Sequence, residues 1–193
     1  IRLMYRTKIR KQLKRSVIKT SMLLGKYNKI YFSSSGLSFL ELSKVNISLA
    51  QFPTITIFPE LPDISYNRNW RKWILLRSTD DNDFESIVKK LIPIYMPKTF
   101  LEGFKYCIDT VQNMKLPKCP NVICTTKDHF SNDLFKIWTM DKLDKGTRLV
   151  IGQHGGGPFY RYNSAMSWEY YIADSYLSTG AHANSYNKKC KNV

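Results

Sequence analysis

Long apolar runs are missing from this chain. Nothing in its 193 residues approaches the roughly 18–20 consecutive apolar residues that span a bilayer, which excludes a transmembrane helix. A signal peptide is also not what the start reads as, because the apolar stretch that should follow the basic N-terminus is broken by Lys and Arg as far as Lys19. Cysteine is sparse. Cys107, Cys119, Cys124 and Cys190 form no C-x-x-C pair and are too few for a disulfide scaffold, so reduced thiols in the cytoplasm are expected. Cys119, Cys124 and His129 stand five apart, unlike zinc-site spacing. A metal-holding D-x-D pair is lacking too: Asp81 and Asp83 lie just ahead of a helical pattern and read as its cap. The expectation is therefore no metal and no cofactor. There is no internal repeat and no low-complexity segment.

Acid is absent from the first thirty residues, which hold ten of the thirty Lys and Arg. The rest of the chain sets twenty bases against all fifteen acids, so the net charge of +15 belongs largely to one end. Over residues 2–24 Tyr5, Ile9, Leu13 and Val17 share one helical face, and Lys8, Lys11, Arg15 and Lys19 lie opposite. This is a basic amphipathic helix, read first as a surface helix with a solvated charged face. Attraction to an anionic membrane surface comes next, which would make the protein peripheral to the inner membrane. Nucleic-acid phosphates stand behind both.

With apolar types at 43% and charged types at 23%, the chain has enough to bury a core. Short β-rich runs at 29–33, 121–125, 147–151 and 175–178 alternate with helical patterns at 37–46, 83–91, 99–114, 130–143 and 164–173. Pro93 and Pro97 are expected to break the helix that begins near Asp83. Strand–helix alternation of this kind predicts an α/β fold, a Rossmann-like parallel sheet flanked by helices. The organisation reads as a basic helical segment at 1–28, an α/β domain at 29–180, and a frayed or aberrant tail at 181–193. Since the chain starts at Ile1 and ends in polar, patternless residues, it reads as a piece of a longer protein.

The most informative segment is Gln153-His154-Gly155-Gly156-Gly157, directly after a strand. In parallel α/β sheets, ligands bind outside the carboxyl ends of the strands. Three glycines let a substrate approach the backbone, and their N–H groups can form an anion-binding concavity. An imidazole there suits a general base near neutral pH. The competing reading is a tight turn in which His154 bonds only to backbone, since neither the dinucleotide-binding spacing nor a P-loop is present. Tyr160, Tyr162, Trp168, Tyr170 and Tyr171 cluster beside this loop, suited to core and rim packing or to stacking on a sugar ring. Trp70, Trp73 and Trp138 read as core, His129 as part of a capping region, and Asp174 as a helix-end or turn residue.

Taken in order, Pro97-x-x-x-x-Glu102-Gly-Phe104, Asp133-x-Phe135-Lys136-x-Trp138, Gly146, Gln153-His154-Gly155-Gly156, Glu169 and Ile172-Ala173-Asp174-x-Tyr176-Leu177-x-x-Gly180 resemble a family of bacterial surface-polysaccharide transferases. The likeness covers about residues 91–180. More distantly, the strand-then-His-Gly layout is similar to CDP-glycerol glycerophosphotransferases and other GT-B-type enzymes. The resemblance implies one half of such an enzyme, the acceptor side. His154 would be the base for an acceptor hydroxyl, and Glu169 the second candidate catalytic residue, orienting a partner or the substrate. Gln153, Gly155, Gly156 and Gly157 would shape the substrate crevice. Its partners would be a sugar nucleotide as donor and a glycan or lipid-linked acceptor in polysaccharide or lipopolysaccharide synthesis. After Gly180 the chain leaves the pattern, so the isolated chain is expected to be inactive by itself. The alternative is a basic membrane-peripheral or nucleic-acid-binding α/β module without catalysis.

Overall fold

The computed structural model describes residues 12, 16–75, 84–153, 168–178 and 190–192. The chain divides into two compact units, Ile1–Phe58 with Met114–Val193, and Pro59–Asn113. The stretch 29–180 thus contributes to both.

The first unit is built on a five-stranded sheet, β1 (Ile30–Ser33), β2 (Val122–Thr125), β3 (Arg148–Gly152), β4 (Ser175–Ser178) and β5 (Cys190–Asn192). Every neighbouring pair is parallel, and the spatial order follows the chain order. The fold is α/β, a parallel sheet flanked by helices, as the strand–helix alternation predicts. Cys190–Asn192 form a strand inside the stretch expected to be a frayed tail, because an edge strand needs only backbone pairing with β4.

Burial alternates along β1, β2 and β4, and the register lines up the buried residues in rows. Tyr31, Ile123 and Leu149 form one row; Ser33, Thr125, Ile151 and Tyr176 form the next, nearer the carboxyl ends. The second row brings two hydroxyls, Ser33 and Thr125, and the Tyr176 phenol to that edge, and it prepares the site described below.

Residues 16–24 are helical (α1). Helix α2 (Phe39–Ser48) starts at a capping box: Ser38 Oγ accepts from the Glu41 N–H, and the Glu41 carboxylate accepts from the Ser38 N–H. At the edge strand β1, Gln51 takes the place of a neighbouring strand. Its Oε1 accepts from the N–H groups of Lys29 and Ile30, both at 2.7 Å, and its Nε2 donates to the Ile30 carbonyl at 3.2 Å. An exposed edge is blunted in this way by a single side chain.

The second unit holds α3 (Arg68–Leu75), α4 (Phe84–Tyr95), a 3-10 turn (Lys98–Phe100) and α5 (Phe104–Asn113). Pro93 does not end α4, contrary to the expectation; it lies inside the helix, which continues to Tyr95. The carbonyls that its C-terminal turn leaves open are taken by Arg71, whose Nη1 donates to Pro93 O at 2.7 Å and Met96 O at 3.0 Å. Asp83 lies outside the described residues.

In the first unit the expected helix at 130–143 is two: α6 (Asp128–Ser131) and α7 (Asp133–Leu143). Asn132 separates them in an extended conformation, and its side chain accepts from the Phe135 N–H to cap α7. Leu134, Phe135, Ile137 and Trp138 of α7 are buried, and the Trp138 ring meets Tyr31 edge-on at 4.8 Å. Helix α8 (Trp168–Ile172) leads into β4. No helix among the described residues is long and apolar enough to cross a membrane.

Candidate functional site

The carboxyl ends of β1, β2, β3 and β4 carry a cluster of hydrogen-bonded polar side chains. Its foundation is the turn after β2. Thr125 Oγ1 accepts from the N–H groups of Lys127 (3.3 Å) and Asp128 (3.0 Å), folding the chain from the strand into α6. Asp128 then reaches across to the end of β1, where its carboxylate accepts from the hydroxyls of Ser33 and, at 2.8 Å, Ser34. The Thr126 hydroxyl and N–H both donate to the Ser34 carbonyl. Ser34 itself sits at φ 45°, a left-handed conformation that these bonds hold in place.

This lacework fixes His129, the second residue of α6. Its Nε2 lies 2.7 Å from Glu169 Oε1, with side-chain exposures of 2% and 1%. With Glu169 ionised, Nε2–H is the donor, and the carboxylate fixes which ring nitrogen carries the proton. The other Glu169 oxygen accepts from the Tyr176 hydroxyl of β4 at 3.3 Å. The Trp168 ring stands 5.5 Å from the imidazole and Phe130 stands 5.2 Å from it. A histidine on the turn after β2, a glutamate on α8 and a tyrosine on β4 therefore converge.

Next to them, β3 ends in Gly152. A Cβ there would come within 2.9 Å of the Thr126 methyl, so glycine lets the β2 and β3 turns pack closely. Gln153 extends the β3–β4 pairing: its N–H donates to Leu177 O at 2.8 Å, and its Oε1 accepts from the Ser178 hydroxyl at 3.1 Å. Asp174 is the turn residue expected of it, its carboxylate accepting from the Leu149 N–H at 2.8 Å. Burial pushes the Cys124 thiol up to about 11, which keeps it protonated near neutral pH.

Among the candidates from the sequence, Gln153 and Glu169 are placed at this edge. His154, Gly155, Gly156 and Gly157 lie outside the described residues, as do Tyr160, Tyr162 and the side chains of Trp73 and Tyr170. Glu169 is fully buried, and among the described residues its carboxylate is engaged by His129 and Tyr176. His129 is not merely a capping residue; it is the partner of Glu169. Local spacing gave no sign of this, because the two are forty residues apart. The available signal was a titratable side chain a few residues past a strand's carboxyl end. Trp138 is core, with 3% exposed, whereas Trp70 is not, with 55% exposed, because it lies on the groove-lining face of α3.

In parallel α/β sheets, ligands bind outside the carboxyl ends of the strands, the edge at which these side chains meet. The family model described as LIC12162 family transferase matches residues 2–192, and the chain belongs to that family. No curated protein and no solved structure matches the chain.

Proposed function

We propose that this transferase moves a sugar from a nucleotide-activated donor to a glycan or lipid-linked acceptor in surface-polysaccharide or lipopolysaccharide synthesis. In this reading the chain supplies the acceptor side of a GT-B-like enzyme, distantly similar to CDP-glycerol glycerophosphotransferases, and His154 removes the acceptor proton. The observation that carries it is the position of Gln153. Its backbone and side chain are bonded to β4 at the carboxyl edge, and His154 with its three glycines follows it directly in the chain. Gly155, Gly156 and Gly157 admit the substrate to the backbone. Glu169 acts as a positioning residue, through His129, with Tyr176 fixing its second oxygen.

The sugar hydroxyl attacks the anomeric carbon of the donor, its proton passes to His154, and the nucleotide leaves with the electron pair of the broken bond. A base in this role contributes about 10²–10⁴-fold to rate. The test replaces His154 with Ala at the natural locus and weighs the surface glycan by mass spectrometry. Loss of a glycosyl unit is expected; an unchanged glycan would refute the assignment.

The basic segment 2–24 supports an anionic membrane surface as a further partner. In its described part Val17, Leu23 and Leu24 are about half exposed, apolar groups that would enter the interface beside Lys19. Co-sedimentation with phosphatidylglycerol liposomes that persists without residues 1–24 would dismiss this.

A further inference from the structure

The second unit contains a groove of about 470 Å³, within the size range of small-ligand sites (about 300–1,000 Å³). Tyr66, Asn67, Arg68, Asn69, Trp70 and Glu102 line it. Two of these are large aromatic rings with 57% and 55% of their surface exposed, Tyr66 and Trp70 respectively. Exposed rings gathered in one concavity are the part of a protein surface that gains most from being covered.

The floor beneath them is rigid. Arg71 Nε donates to Glu102 Oε1 and Nη2 to Glu102 Oε2, both at 2.7 Å, while Nη1 holds the end of α4. The Asn67 N–H adds a bond to Glu102 Oε1 at 2.9 Å. The Arg71 guanidinium also lies over the Tyr66 ring, 4.6 Å from its centre, covering one face by a cation–π contact. Bonding to Arg71 holds the Glu102 carboxyl well below the usual range, at about 2, so it is an ion at any ordinary pH and already neutralised by its partner.

The polar rim is set as firmly. Asn67 Oδ1 accepts from the N–H groups of Asn69 (3.0 Å) and Trp70 (3.2 Å). This orients the Asn67 amide and leaves its NH₂ as a donor. Asn69 and Arg68 add an amide and a guanidinium. The groove therefore offers flat apolar faces ringed by hydrogen-bonding groups, with no uncompensated negative charge from Glu102. A ligand that matches has apolar C–H faces and a hydroxyl edge.

The geometry points to a binding site for a pyranose unit of a glycan in this groove, stacked on Trp70 and Tyr66 and hydrogen-bonded by Asn67, Asn69 and Arg68. This goes beyond the proposed transfer chemistry and does not rest on it, since binding here is read without turnover. A preformed floor lowers the ordering cost of binding.

The test is saturation-transfer NMR of the whole chain with the methyl pyranosides of glucose, galactose, mannose, N-acetylglucosamine and rhamnose, and with uridine. We expect transfer to the ring C–H protons of at least one pyranoside. Affinity should weaken about tenfold, the scale of one lost ring contact, in Trp70→Ala and in Tyr66→Ala. It should be partly restored in Trp70→Phe and unchanged in Tyr95→Ala, which removes an exposed ring outside the groove. In the unaltered protein the indole N–H signal assigned to Trp70, the one missing in Trp70→Phe, should shift as the pyranoside is added. No transfer to any pyranoside, an unmoved Trp70 signal, or equal binding by Trp70→Ala would overturn the proposal. Transfer to the uridine base alone would overturn it too and assign the groove to a nucleobase.

Discussion

Each unit of the molecule holds a buried carboxylate bonded to a nitrogen partner, and the two are built differently. In the second unit, Arg71 commits Nε, Nη1 and Nη2 to Glu102 and to two backbone carbonyls. A guanidinium stays charged at every pH of interest, so this pair is a static clamp. In the first unit, His129 and Glu169 share one bond at 2.7 Å, with Tyr176 on the second carboxylate oxygen. This pair stands at the strand ends, where parallel sheets take their ligands. Burial and pairing alone therefore do not mark a site; position at the strand ends is what sets the second pair apart.

The comparison breaks most directly at Glu169. Glu169→Ala opens a cavity and leaves a buried N–H beside it without its acceptor, and should cost about 2–5 kcal/mol of stability, read from the urea midpoint. Glu169→Gln keeps the volume and should lose clearly less; equal losses would mean that packing, not charge, holds the pair. Gly152→Ala comes next, because the added methyl meets Thr126. A cost of about 1–3 kcal/mol is expected, and a neutral result would show that the two turns are not tightly packed. Ser38→Ala touches neither pair and removes only the cap of α2, so about 1 kcal/mol is expected. A much larger loss there would mean that the cap supports more than its own helix.

The acid response of Glu102 appears only well below neutral pH. Its folded value lies at about 2, below the ordinary 4.5, chiefly because Arg71 bonds to the ion. The stabilisation is therefore complete above about pH 4.5 and fades as pH falls towards about 2. Glu102→Gln should remove that part of the acid dependence of the unfolding midpoint. If both proteins lose stability in parallel through this window, the clamp is not what titrates.

How much of this could be read in advance depended on the reach of the signal. The strand at 175–178 is found where the strand–helix alternation put it, because the order of short β-rich and helical runs is a local property of the sequence. Pro93 misled, since proline's cost to a helix is local, while the Arg71 bonds that hold the end of α4 come from another element. The α6–α7 break turned on one capping side chain, Asn132, inside a run that looks continuous in composition. Glu169 was singled out by family likeness, but its partner His129 was not, as nothing in sequence links residues joined only through a sheet edge. The division at Pro59 and Asn113 carries no linker composition that a scan for glycine or serine would find.

The central claim is transfer at the carboxyl edge of the sheet with His154 as base. Its most direct measurement is nucleotide release from sugar nucleotides by membranes of the source cells, which supply the acceptor, with His154→Ala beside the natural protein at equal abundance. The account predicts that acceptor-dependent release falls by about 10²–10⁴-fold. Release at an undiminished rate by His154→Ala would contradict it.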